Sequence, residues 1–394
     1  LKADCPEATI FSFRDGFAAR RVISASRPTG KDRLLPLMVQ RRPSRLLRLI
    51  PIAVVVSILG SGCGPGVPPE RDLLLATASA GGTYYPVGVA MATLATRKLG
   101  PETGFNMSAI TSSGSAENIA LLLNREADLA IIQSLFGALA WEGRGLYAGR
   151  PVKNLRALSL VWENVEQIVA YRRDAPTGTV ADLHTLHGRR ISIADKWSGT
   201  EISARTLLTA LGHEPDRDFD LAYLSYGPSV EALQNRRLDA MFLAGGVPTG
   251  AVTQAFAVVG PDDLVMLEFT SDAIARVRAE YPLWNEYIIP AGTYPGQTRP
   301  LPTLSQPNLL VSHADVDAQV VYELLACIYD NLPELHRMHR ATREMSLGRA
   351  LRGLPVPLHP GAVRFYREAG LDIPVALLPP EWTEPGVQAE RPRP

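Results

Sequence analysis

Two stretches of this chain, roughly 115 positions apart, repeat one turn-and-helix plan. The first runs from Gly81-Gly82-Thr83-Tyr84-Tyr85-Pro86, through Ser113-Gly114-Ser115-Ala116-Glu117-Asn118, to Ala127-Asp128-Leu129-Ala130-Ile131-Ile132-Gln133. The second runs from Ser198-Gly199-Thr200-Glu201, through Pro228-Ser229-Val230-Glu231, to Leu238-Asp239-Ala240-Met241-Phe242. Many short repeats would build a solenoid, whereas two copies this far apart predict two similar units. Each copy sets a small, NH-rich turn before a helix, the arrangement that holds anions. Two such units facing each other enclose a cleft.

Short apolar runs alternating with helical segments make each copy a set of parallel βαβ units, so the expected fold class is α/β. In the first copy the expected strands are Leu73–Thr77, Met107–Ile110 and Leu129–Ile132, with helices Pro86–Leu99 and Ser115–Asn124. Leu158–Val161 and Glu166–Tyr171 read as two strands leading into the second copy. There the expected strands are Arg190–Ala194, Leu221–Leu224 and Asp239–Leu243, with helices Glu201–Leu211 and Ser229–Asn235. The chain then crosses back near Glu280–Pro290, and helices Val316–Asn331 and Gly361–Ala369 pack over the first unit. The resulting division is lobe 1 at 73–165 and 286–378, lobe 2 at 166–285, and a disordered proline-rich tail at 379–394.

The front of the chain carries an export pattern. Arg41, Arg42, Arg45 and Arg48 precede the apolar run Leu49–Leu59, and Gly60-Ser61-Gly62-Cys63 follows as a small-residue processing site. The run is shorter than the roughly 20 residues of a membrane span. Gly60-Ser61-Gly62-Cys63 resembles a bacterial lipobox, which makes Cys63 the expected lipid-bearing residue. Residues 1–62 are thus read as leader, with Met38 the expected start, and 63–72 as linker. The expected location is the periplasm or the outer face of the cytoplasmic membrane. Forty basic and forty acidic residues balance, which argues against a nucleic-acid partner.

In open parallel sheets, ligands gather at the carboxyl ends of the strands. The turns holding Gly82, Thr83 and Tyr84, then Ser113 and Ser115, and then Ser198, Gly199 and Thr200 all fall there. So do Gln133 and the Gly245-Gly246-Val247-Pro248-Thr249 segment, from which Gly246 and Pro248 join the candidate ligand-binding set. Helix capping alone also accounts for Ser115, and for the capping box Ser198 to Glu201. A site of hydroxyls, amides and NH groups suits a small carboxylate or zwitterion.

Catalytic and metal chemistry find less support. Ser112, Ser113 and Ser115 do not form a Gly-x-Ser-x-Gly elbow, and no Gly-Lys-Ser/Thr makes a phosphate loop. His184 and His187, or His336 and His339, have a spacing that serves metals, but neither pair has matching carboxylate or Cys ligands in sequence. The expectation is therefore a non-enzyme with neither cofactor nor metal.

These blocks resemble the TAXI family, the solute receptors of TRAP transporters, over roughly Leu73 to Leu371. The resemblance rests on the turns above, on Gln133-Ser134, on Ile289-Pro290-Ala291-Gly292-Thr293-Tyr294-Pro295-Gly296-Gln297, and on Leu358-His359-Pro360-Gly361-Ala362-Val363-Arg364-Phe365-Tyr366. It implies a two-lobed type II periplasmic binding protein fold with a ligand cleft between lobes. It also implies a glutamate-like or dicarboxylate solute and delivery to TRAP membrane subunits driven by an ion gradient. Lys196 and Trp197 stand where the family often has small residues, which makes them candidates for choosing the solute. The alternatives are a binding module of a sensor or ABC system, or a hydrolase or transferase on the same fold.

Overall fold

The computed structural model describes residues 71–383; the expected leader with Met38 and Cys63, and residues 384–394 of the expected tail, lie outside the described residues. Leu73, Leu75 and Ala76 turn inward from strand β1 (Arg71–Ala76), which leads into helix α1 (Tyr84–Thr103). Strand β2 (Phe105–Ile110), helix α2 (Ser115–Leu123), strand β3 (Leu129–Gln133) and helix α3 (Ser134–Glu142) follow. β1 pairs in parallel with both β2 and β3, as apolar runs separated by helices require.

Strand β4 (Leu155–Tyr171) then leaves this half as one element of 17 residues. A second set repeats the scheme with β5 (Arg190–Ser192), α4 (Gly199–Ala210), the short α5 (Pro215–Asp218), β6 (Asp220–Ala222), α6 (Tyr226–Gln234) and β7 (Ala240–Gly245). β5 lies in parallel between β6 and β7. Helix α7 (Gly250–Val258), strand β8 (Leu264–Met266), helix α8 (Ser271–Glu280) and strand β9 (Asn285–Ile289) complete that half. Strand β10 (Leu301–His313) crosses back, and helices α9 (Ala318–Asp330), α10 (Leu332–Met338) and α11 (Pro360–Glu368) cover the first half.

The strands run in the order β2-β1-β3-β10-β4-β7-β5-β6. Each half therefore has three parallel strands with its own middle strand first in sequence, closed by an antiparallel strand that arrives from the other half. β10 closes the first set against β3, and β4 closes the second against β7. This doubled arrangement is that of a type II periplasmic binding protein, two α/β lobes on a shared pair of strands. One apolar cluster built around Leu75, Leu129 and Phe136 fills the first half, and clusters around Leu207 and Met241 lie on the two faces of the second.

Three features depart from the expected layout. Leu158–Val161 and Glu166–Tyr171 are one strand, because Glu163 and Asn164 between them stay in the ladder opposite Pro307 and Gln306. The return to the first half comes later than 286: Ile289, Tyr294 and Leu301 pack in the core of the second half, and only from Leu309 does the chain join the first. The tail also starts later than 379. Glu381 accepts from Arg156 Nε and Nη2, both at 2.7 Å, a bidentate geometry that fixes both partners, and Trp382 packs against the first core.

Asn118 ties α2 to the sheet. Its Nδ2 donates to Thr77 O (2.6 Å) and Ile131 O (2.8 Å), and its Oδ1 accepts from Ser112 Oγ (2.6 Å), all in a fully buried position. Asn118→Ala would remove the side-chain donor from Ile131 O while Ser112 Oγ still serves Thr77 O, so a loss of about 2 kcal/mol in denaturant unfolding is expected.

Candidate functional site

The carboxyl ends of β1, β2, β3, β5 and β7 meet at one cavity of about 40 Å3. Nine expected residues line it: Gly82, Thr83, Tyr84, Ser113, Ser115, Gln133, Ser198, Gly199 and Thr200. They come from both halves, and they include the first residues of α1, α2 and α4, so the positive ends of three helix dipoles border the same space. Gly114, with φ of 117°, caps α2 in a conformation that an L side chain rarely adopts, so that turn requires glycine.

The hydroxyls at the rim hold the turns in shape. Ser113 N and Oγ both donate to Glu117 Oε2, at 2.7 and 2.6 Å. Ser115 Oγ accepts from Gln133 N (3.1 Å), and Ser198 Oγ accepts from Glu201 N (3.1 Å) as the capping box requires. Glu201 reaches back to Trp197 N at 2.6 Å instead of to the cap residue itself.

The halves touch across this edge. Thr83 Oγ1 donates to Gly246 O (3.0 Å), Ala251 N donates to Gly81 O (3.1 Å), and Ser203 Oγ donates to Gln133 Oε1 (3.3 Å). A cavity of about 40 Å3 admits roughly three water molecules. Solutes of amino-acid size need more room than that. With these three contacts made, the halves stand closer than a bound solute of that size would allow.

Four expected residues stand outside the lining. Gly246 belongs to the contact between halves, where a Cβ on it would sit 2.7 Å from Trp162 Cδ1 and from Ala341 Cβ, and Pro248 is half-buried after a cis peptide bond. Trp197 is 57% exposed, and Lys196 is exposed with its ammonium 4.8 Å from the Tyr223 ring centroid. Positive φ angles at Ala194 (67°) and Trp197 (67°) bracket the pair between them and turn Asp195 inward, Lys196 outward. A non-glycine residue in that region costs about 1 kcal/mol, and such strain gathers at functional sites.

Seven lining residues lay outside the expected set, and of these Asp195 and Tyr226 bring new side-chain chemistry. Asp195 accepts from Ser225 Oγ at 2.8 Å through both carboxylate oxygens. Tyr226 Oη accepts from Ala244 N (2.8 Å), donates to Ala244 O (2.8 Å), and lies 2.6 Å from Thr200 Oγ1. Burial raises its pKa to about 12. Pairing Ser229 with Ser115 in the repeat sets the second turn too late. Ser229 lies inside α6, bonded to Ser192 Oγ (2.8 Å), and the turn before α6 presents Ser225-Tyr226. The signal was the apolar end of β6, which stops at Ala222.

Below the cavity lies a buried polar layer between β4 and β10. Glu166 is 2% exposed, and burial pushes its pKa up to about 7 against hydrogen bonds from Ser203, Trp284 and Gln306. Gln306 Nε2 donates to Ser203 Oγ (3.2 Å), and Tyr84 Oη donates to Asn308 Oδ1.

Residues 75–370 match the family described as NMT1-like. The chain belongs to the NMT1-like family. Its structure is similar to that of a protein from Bordetella bronchiseptica RB50, at 12% identity and a TM-score of 0.47, covering 77% of this chain and 99% of that one. MatC from Rhodopseudomonas palustris, solved with bound malate, is similar at 15% identity and a TM-score of 0.46, covering 70% and 89%. The periplasmic aliphatic sulphonate binding protein SsuA from Escherichia coli matches at 15% identity and a TM-score of 0.40, covering 76% and 83%. Among the described residues no helix is long and apolar enough to cross a membrane.

The burial of Glu166 predicts a pH-dependent stability for this NMT1-like protein. Its raised folded pKa means that the stability tied to holding the proton is full below about pH 4.5 and is lost as pH rises through about 7. Glu166→Gln removes that titration, so its stability relative to the parent should rise between pH 5 and pH 8, by up to about 3 kcal/mol. Denaturant midpoints at the two pH values measure it.

Proposed function

We propose that this NMT1-like protein is an extracytoplasmic solute receptor that closes on a small amino acid and presents it to the membrane subunits of a TRAP transporter. The observation that carries this reading is the single cavity to which both halves contribute helix N-termini and hydroxyl-bearing turns. The contacts of Thr83 with Gly246 and of Gln133 with Ser203 supply a closed state, and two lobes on a shared pair of strands supply the opening motion. The rim hydroxyls serve the turns, which fits binding more than nucleophilic catalysis.

Charge narrows the solute class. The lining holds one ionisable acid, Asp195, and no lysine or arginine, while three helix N-termini favour a carboxylate. One carboxylate site beside one acid suits a zwitterion: the solute carboxylate at the helix termini, its ammonium at Asp195. A dicarboxylate would set its second charge against Asp195 unpaired. This favours the amino-acid branch of the expected ligands over the dicarboxylate branch. The export leader and lipid attachment at Cys63 are part of the same proposal.

Calorimetry on the protein with an amino-acid panel and with succinate and malate tests the class. Saturable binding is expected for at least one amino acid, with dicarboxylates at least about tenfold weaker. Asp195→Asn should weaken the amino acid at least about tenfold and narrow that gap; tighter dicarboxylate binding in the parent protein would overturn the assignment.

Thr83→Ala with Ser115→Ala should also reduce affinity about tenfold or more, by loosening the closed form and the α2 turn. An unchanged affinity would remove the first-half turns from the site. Reconstitution with TRAP membrane subunits, driven by a sodium gradient without ATP, separates this partner from an ABC system.

A further inference from the structure

The sequence offered His184 and His187 without a third ligand. The fold brings His213 to them. The short 3-10 turn Val180–His184 continues with Leu186 N donating to Leu183 O (3.2 Å) and His187 N to His184 O (3.3 Å). In such a turn residues three apart stack on one side, so both rings project together. His213 arrives from the loop after α4, fixed by its own N donating to Leu208 O (2.9 Å). Gly188 N donates to Asp218 O (2.7 Å) and ties the two loops.

The ligating nitrogens of the three histidines lie within 4.8 Å of one another, with His187 Nε2 and His213 Nδ1 at 2.9 Å. Phe219 packs edge-on against His187 and tilted against His213, with ring centroids 5.4 and 5.6 Å away. The Asp218 carboxylate, 3.9 Å from His187 Nε2, adds a negative charge, held by Glu214 N (2.7 Å) and Arg217 Nε (2.9 Å). Arg276 approaches from the Gly212 side and is the one cation facing His213 among the groups named here.

We propose that His184, His187 and His213 form a three-imidazole site for a borderline divalent metal ion of the Zn2+ class, with a fourth position open to solvent. Imidazole suits Zn2+, Ni2+ and Cu2+, whereas Ca2+ and Mg2+ demand oxygen ligands. Metal–nitrogen bonds of about 2.0–2.1 Å in a tetrahedral shell put ligating nitrogens about 3.4 Å apart. The observed separations bracket that value, and His184 and His187 are exposed, so rotation of their rings suffices to close the shell. The site is at the carboxyl end of α4, while the cleft is at its amino end, about 18 Å away for a helix of 12 residues. A bound ion would clamp the 184–188 and 213–218 loops at that far end.

The test uses the full chain without a histidine tag, stripped with chelator and titrated with Zn2+, Ni2+, Cu2+ and Mg2+ by equilibrium dialysis with metal analysis. One equivalent of Zn2+ at micromolar affinity or tighter is expected, with a raised Tm and no response to Mg2+; Ni2+ or Cu2+ binding more tightly at the same residues sustains the class and renames the ion. Co2+ in place of Zn2+ should give the intense d–d absorption of a four-coordinate site. His184→Ala with His187→Ala, both at exposed positions, should fold as the parent does and lose at least about 100-fold in affinity, while His336→Gln should leave it unchanged. His213→Gln should show the same loss if it folds. No stoichiometric binding at 100-fold excess of all three transition metals, or binding that survives the double variant, overturns the proposal. Because the readout is metal content, its failure leaves the solute experiments untouched.

Discussion

The antiparallel pairing of β4 with β10 is the constraint on which the rest of this protein hangs. Residues 155–165 of β4 run against 305–313 of β10, and the same two strands then continue into the other half, where β4 pairs with β7 and β10 with β9. Neither half can complete its sheet without a strand that belongs equally to the other. The ladder shifts register between Pro307 and Leu309, where proline has no NH to give and a bulge bends the strand. The buried polar side chains Asn164, Glu166, Gln306 and Asn308 concentrate at this crossing.

The cleft inherits its electrostatics from this frame. Parallel strands deliver their carboxyl ends to one edge, so the helices that follow present their amino ends to a common space. Against that positive end stands a single carboxylate, Asp195, whose direction depends on two left-handed residues. Glu201 contributes to this arrangement from outside the cavity: by accepting from Trp197 N it holds the loop in the turn that sends Lys196 to Tyr223 and leaves Asp195 facing inward.

Much of the fold was legible because local rules and tertiary packing agree. β1, β3 and β7 are short apolar runs, α2 starts at Ser115 where the sequence put it, and α4 starts at Gly199, two residues before the expected Glu201 and behind the expected cap Ser198. α3, α5, α7, α8 and α10 were missed. Helices α3 and α7 have no side-chain cap hydrogen bond to mark a boundary, and they are mostly apolar, with only Thr253 and Gln254 breaking the run inside α7, so the period is weak. α8 has a capping threonine, Thr270, but only three buried positions to show a face. The centre of β4 was misread for the opposite reason. Glu163 and Asn164 look like a break between strands, and only the partner strand β10 makes room for them inside.

The sequence by itself determined the doubled α/β plan, the glycine and hydroxyl turns, and nine of the residues that line the cavity, because strand ends and helix starts are local events. Tertiary structure decided which neighbours of those turns face inward. Lys196 and Asp195 are adjacent, yet one reaches solvent and the other the cavity, a choice made by backbone angles at Ala194 and Trp197 and by contacts with Glu201 and Tyr223. It also decided that His213, 26 residues from His187 in sequence, completes a cluster with it, since only the docking of the loop after α4 against the turn before β5 brings the rings together.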